Sequence, residues 1–280
     1  MPPTIGVFDS GFGGLTVLRA LIARAPHARF AFLGDTARLP YGSKSRRTIA
    51  RYAAESARFL VEEQGADYLV IACNTASALA LDAIQDAVPH IPVIGVIEPG
   101  AEAAQRATTT GDVLVIATDA TVQSHAYAAA CEARGLRVLE KACPLLVPFV
   151  EEGWTSHKVT AEVFRIYFAE LTAEAAALGL NPDTLVLGCT HYPLLKPLIQ
   201  AAIPPTMRAI DSAESAADKL LMQLSGCPIH PAPSAGWVGP GATPTENRCF
   251  ATDSVEKFER LGSRFLGRPV GQVQLVDLGG

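Results

Sequence analysis

The sequence predicts a doubly wound α/β fold, and three observations carry that prediction. Short continuous runs of Val, Ile, Leu and Phe recur along the chain, segments of helical composition separate them, and small polar clusters follow several of the runs directly. Continuous rather than alternating apolar runs mark strands covered on both faces, as parallel strands between helices are. Ligands of an open parallel sheet bind beyond the carboxyl ends of its strands, so the polar clusters at those ends are the first candidates for function.

Taken in order, a strand at 5–8 runs through DSGFGG into a helix at 15–24. A strand at 30–33 leads through GDTARLPYGSKS into a helix at 45–64, and a strand at 68–72 leads through Cys73 into a helix at 76–87. Strands at 93–96, 113–117 and 137–139 alternate with helices at 101–107 and 124–133. A long helical stretch, 159–177, precedes a strand at 185–187 and a further helix at 213–224. Ala, Glu and Leu dominate these helices, with few internal breakers. The segment 225–247 is dense in Pro, Gly and Ser and reads as an irregular excursion. RCFATDSVEKFERLGSRFLG then restores strand and helix signal, and 273–276 is a last strand.

The 280 residues, 49% hydrophobic and 18% charged, supply core for two modest domains or one large one. The net charge of -5, with no basic cluster longer than Lys44 to Arg47, disfavours nucleic acid as a partner. A small anion remains open, because backbone amides and helix N-termini bind it locally. The N-terminus lacks the regions of a signal peptide and no run of 18 apolar residues exists, so the expectation is a cytoplasmic protein with no membrane partner. Six cysteines without a CxxC pair fit neither a disulfide framework nor a zinc site. Of these, Cys131, Cys143, Cys227 and Cys249 read as packed, reduced thiols.

Five clusters could carry chemistry. Asp9 to Gly14 puts a carboxylate at a strand tip before a glycine turn, with Ser10 beside it; the spacing is not a dinucleotide fingerprint, and a plain helix cap at Asp9 or Ser10 would look the same. Gly34 to Ser45 makes a turn at Pro40, Tyr41 and Gly42 whose amides and phenol could close over a ligand, or be a plain loop. Cys73, Asn74 and Thr75 bring a thiol to a strand end where a helix begins, a position that favours thiolate. Cys189, Thr190, His191 and Tyr192 repeat that corner with an imidazole two residues on, suited to proton transfer near neutral pH. Glu151 and Glu152 in LVPFVEEGW are a proton relay or a solvated turn.

Two matching thiol corners change the weighing. A nucleophilic hydrolase needs one thiol, and a redox pair usually spaces its thiols two residues apart. Two thiols facing each other suit removal of a proton from one face of a carbon and delivery to the other, one sulfur as thiolate and one as thiol, titrating as a unit.

DSGFGG, GDTARLPYG, ACNTAS, ATDATVQSHAY, VPFVEEG and GCTHYPLL, in this order from about Ile5 to Asp211, resemble bacterial glutamate racemases of the cofactor-independent aspartate/glutamate racemase superfamily. The resemblance implies interconversion of L- and D-glutamate without pyridoxal phosphate or metal, supplying D-glutamate for peptidoglycan. It implies Cys73 and Cys189 as the acid/base pair, Asp9 and His191 as their helpers and Glu151 as an auxiliary acid, with Glu152 the alternative register. Glutamate would be held by Asp9, Ser10, Tyr41, Gly42, Asn74, Thr75, Thr190 and His191. The fold implied is two similar α/β domains around a cleft, 1–97 with 211–280 as one and 98–210 as the other, with a homodimer as the expected assembly. Aspartate is disfavoured as substrate, since aspartate-type relatives typically carry an acid where His191 stands. A silent amino-acid sensor is the reading from another class, and gyrase binding and activation by a cell-wall precursor, properties of some relatives, are neither supported nor excluded by the sequence.

Overall fold

The computed structural model describes residues 2–225 and 247–279, so 226–246, which hold Cys227 and nearly all of the Pro/Gly-rich excursion, lie outside the described residues. Two parallel sheets organise the chain, as the α/β prediction requires. The first holds β1 (Thr4–Asp9), β2 (Arg29–Gly34), β3 (Tyr68–Ile71), β4 (Val93–Gly95), β9 (Asn247–Ala251) and β10 (Val273–Leu275) in the order β10-β9-β2-β1-β3-β4. The second holds β5 (Asp112–Ala117), β6 (Arg137–Ala142), β7 (Thr184–Gly188) and β8 (Arg208–Asp211) in the order β6-β5-β7-β8. The central strands β1, β5 and β7 are buried along their whole length, which is why their sequences are almost uninterruptedly apolar.

The two sheets share a winding. In the first, β1 pairs with β2 on one side and β3 on the other; in the second, β5 pairs with β6 and β7 in the same way. Chain direction across each sheet therefore reverses beside the first strand of the set, at the β1/β3 and β5/β7 crevices, where such sheets bind ligands. Cys73 follows β3 and Cys189 follows β7, so both cysteines stand at the equivalent crevice of their own sheet. One continuous apolar core joins the halves, running from Val7 and Leu18 through Ala216 and Leu220 to Leu114 and Leu187.

The helices depart from the predicted boundaries for local reasons. α1 (Leu15–Arg24) and α9 (Lys158–Ala177) lie where expected. The 45–64 helix is α2 (Arg46–Arg58) followed by a π-helical turn at Phe59–Glu63, and 76–87 begins early, at Asn74, and divides at Ala80 into α3 (Asn74–Leu79) and α4 (Leu81–Ala87). α5 (Ile97–Ala107) starts four residues before 101, its first turn containing Pro99 and Gly100. The 124–133 helix is α7 (Ala126–Glu132), which starts only after His125, whose φ of 53° no helix accommodates, and a short helix that was not predicted, α6 (Asp119–Gln123), precedes it. β8, α8 (Leu146–Glu151) and α10 (Lys196–Ala202) were not predicted. α11 (Ser212–Ser225) packs on α1, and α12 (Val255–Leu266) completes the described helices.

Candidate active site

Both crevices open on one cavity of about 250 Å³, lined from the first sheet by Ser10, Tyr41, Gly42, Cys73, Asn74 and Thr75 and from the second by Thr118, Asp119, Glu151, Cys189, Thr190 and His191. Cys73 is the N-cap of α3. Its sulfur accepts the Ala76 N–H at 3.4 Å and donates to Ser10 Oγ at 3.3 Å. Burial, with the Asp9 carboxylate adding to it, pushes the Cys73 thiol up to about 12, against the opposing pull of these hydrogen bonds. Cys73 is therefore a thiol at neutral pH.

The second corner is built around an imidazole. His191 Nδ1 lies 3.9 Å from Cys189 Sγ and its Nε2 lies 3.4 Å from Glu151 Oε1. Burial works against the charged ring, but the hydrogen bonds and charges of Cys189 and Glu151 outweigh it and raise His191 to about 10. Glu151 responds in the opposite sense: burial would raise it, and the bond to His191, with Lys257 Nζ 3.9 Å from its other oxygen, brings it below the ordinary carboxylate value. Glu152 is exposed and away from the cavity lining, so helix α8 turns only the first of the two acids inward.

Two predicted residues sit differently from expectation. Asp9 is buried and does not line the cavity; Oδ2 accepts the Gly11 N–H at 2.9 Å, and Oδ1 has no hydrogen-bond partner among the described residues. Burial raises its carboxyl, with the His191 charge pulling the other way. The Tyr41 phenol, expected to be free to close over a ligand, instead donates to the buried Asp35 Oδ2 at 2.5 Å, which leaves the Tyr41–Gly42 backbone as what the turn can offer a ligand. Glycine is required at 13, because a Cβ there would stand 2.3 Å from Thr190 Oγ1 and 2.7 Å from the His191 ring. The DSGFGG turn of the first sheet thus presses directly on the cysteine corner of the second.

The sequence reading missed the wall that the second sheet adds. Thr118 and Asp119 follow β5, and Thr118 joins Thr75 and Thr121 in a ring of hydroxyls at 3.0 to 3.2 Å that ties the two sheets together at the cavity. Their signal was positional, two polar residues at a strand end within ATDATVQSHAY. Pro144, Val147 and Pro148 add an apolar wall that no local pattern marks. Cys131, Cys143 and Cys249 are buried free thiols outside the cavity lining. Among the described residues no cluster of His, Cys, Asp and Glu is placed to hold a metal, and no helix is long and apolar enough to cross a membrane.

Comparison with known proteins gives a consistent picture. The Asp/Glu/Hydantoin racemase family matches residues 13–220. The glutamate racemase of Koribacter versatilis is 51% identical over 291 aligned positions, covering 99% of this chain and 98% of that one, so the likeness continues through the C-terminal stretch where motifs are sparse. A glutamate racemase isoform from Bacillus anthracis superposes with a TM-score of 0.86 at 37% identity, and the Francisella tularensis glutamate racemase in complex with D-glutamate with 0.83 at 34%, each covering 99% of this chain and 98% of its own. With paired parallel sheets, a cysteine at the same crevice of each and these relatives along nearly its whole length, the chain belongs to the Asp/Glu/Hydantoin racemase family, among its glutamate racemases, and is an amino-acid isomerase.

Proposed function

We propose that the chain interconverts L- and D-glutamate by a two-base mechanism in which Cys73 and Cys189 work on opposite faces of the α-carbon. One observation carries the reading: the two sulfurs occupy equivalent crevices of two identically wound sheets and both line one cavity. Glutamate as the substrate is supported by the family and by the D-glutamate held in the Francisella relative.

The mechanism needs one sulfur as thiolate and the other as thiol, and for one enantiomer Cys73 enters as the thiol and Cys189 as the base. The Cys189 sulfur takes the α-proton, the electron pair left on carbon delocalises into the adjacent carboxylate, and the Cys73 thiol gives its proton to the opposite face. The product has inverted configuration, Cys189 is now thiol and Cys73 thiolate, and the protein is set for the other enantiomer. His191 beside Cys189, supported by Glu151, and Asp9 behind Cys73 reset the pair by passing protons. No group in this scheme disperses the carbanion charge covalently, so fixed dipoles must do so. Ser10, Asn74, Thr75, Thr190 and the Tyr41–Gly42 amides are the donors available at the cavity. Supply of D-glutamate for peptidoglycan and a homodimer in the cytoplasm belong to the same reading. So does a division into 1–97 with 211–280 and 98–210, which the membership of the two sheets supports.

The test is turnover of each enantiomer by the purified protein, followed by circular dichroism, beside aspartate at equal concentration. Glutamate should reach the racemic endpoint from either side, with aspartate slower by about a hundredfold, the upper range for one methylene. Equal turnover of aspartate, or glutamate binding without turnover, would reverse the assignment.

A further inference from the structure

Tyr127, in the ATDATVQSHAY segment, lines no part of the cavity yet stands between the two cysteine corners. It is fully buried on α7, and its hydroxyl donates to Asn74 Oδ1 at 2.7 Å. Asn74 follows Cys73 directly and lines the cavity; its side-chain nitrogen is buried and has no hydrogen-bond partner among the described residues. A buried amide donor without a partner is costly to the fold unless a ligand takes it up, and this one belongs to a cavity-lining residue. With the phenol O–H engaged on the amide oxygen, the amide nitrogen is the end left for the other side.

The slot around Tyr127 is shaped to fix that ring. A Cβ at Gly188, the residue before Cys189, would lie 3.0 Å from Tyr127 Cε2, and a Cβ at Gly100 would lie 3.1 Å from Cε1 and 3.2 Å from the hydroxyl. The ring therefore rests against the last residue of β7 while its hydroxyl reaches across to the first residue of α3. We propose that Tyr127 is a positioning residue: it locks the Asn74 amide with its N–H groups facing the substrate carboxylate, and registers the Cys73 corner against the Cys189 corner. The proposal rests on the two-cysteine reading for the identity of the ligand.

The experiment is a double-mutant cycle in the full chain: wild type, Tyr127→Phe, Asn74→Ala and the double variant, with kcat and KM for both enantiomers, Kd for D-glutamate and the unfolding temperature. Tyr127→Phe should lower kcat/KM about tenfold, the scale of one hydrogen bond, and should have no effect beyond about twofold when Asn74 is already alanine. Gly100→Ala is the second variant, crowding the same hydroxyl while adding a better helix former. It should lower kcat/KM about threefold without lowering the unfolding temperature, and again only when Asn74 is present. A double variant whose loss equals the product of the single losses, or a Tyr127→Phe protein within twofold of wild type, overturns the inference. A wild type that binds glutamate without turnover strikes the two-cysteine reading instead, and the same cycle in Kd then decides the role of Tyr127.

Discussion

Replacing Cys73 by alanine should cut racemisation in both directions by on the order of 10³-fold while leaving the protein folded, and Cys189→Ala should do the same. A one-base enzyme would lose everything with one of the two and little with the other. In the two-base account each variant retains one sulfur, so each should still exchange the α-hydrogen of a single enantiomer slowly with solvent, and the enantiomer should differ between the two variants. The equivalent crevices occupied by the two cysteines are the reason to expect this symmetry. Measured by mass spectrometry of α-deuterium beside chiral analysis of the product, exchange of the same enantiomer by both variants would contradict the assignment of opposite faces.

The largest stability effect should come from Asp35→Ala, a residue outside the chemistry. The Asp35 carboxylate has no exposure and takes three donors: the Arg38 Nε–H, forked between its two oxygens at 2.9 and 2.8 Å, the Tyr41 hydroxyl at 2.5 Å and the Thr252 hydroxyl at 2.9 Å. Removing it strands a largely buried guanidinium, left with Glu55 as its remaining carboxylate, and a buried phenol. Loss of one member of a buried pair costs about 3–5 kcal/mol, or roughly 6–10 °C in unfolding temperature for a chain of this size. Because the same carboxylate anchors the 39–43 turn to the strand end at Thr252, KM for glutamate should rise as well. Asp35→Asn, which keeps the shape, should cost less than half as much. An alanine variant that melts within about 2 °C of wild type would show that the network adds nothing to the fold.

The sequence made the scaffold legible where one force dominated. β1, β5 and β7 are buried on both faces, so composition alone marks them. β8, with Arg208 and Asp211 at its ends and partial burial between, carries no such mark and forms because β7 offers it an edge. Pro148 in α8 and Pro197 in α10 read as breakers, but each falls in a first turn, where no intrahelical N–H bond is lost. At the site, Cys73 and Cys189 stood out because a thiol at a strand-to-helix corner is a local pattern. The bond from Tyr127 to Asn74, 53 residues apart, and the bond from Thr252 to Asp35, 217 apart, have no local trace and needed the fold. The choice of Glu151 over Glu152 depended on the rotation of one short helix, which adjacent identical residues conceal.

The central claim, two sulfurs delivering and removing protons from opposite faces, is tested most directly by isotope placement in the wild-type protein. Dissolved in deuterium oxide and sampled within the first few per cent of conversion, L-glutamate should yield D-glutamate bearing one α-deuterium while the remaining L-glutamate still carries hydrogen. Deuterium entering the unconverted L-glutamate as fast as the D-glutamate would mean that a single base serves both faces, and the two-cysteine account would be wrong.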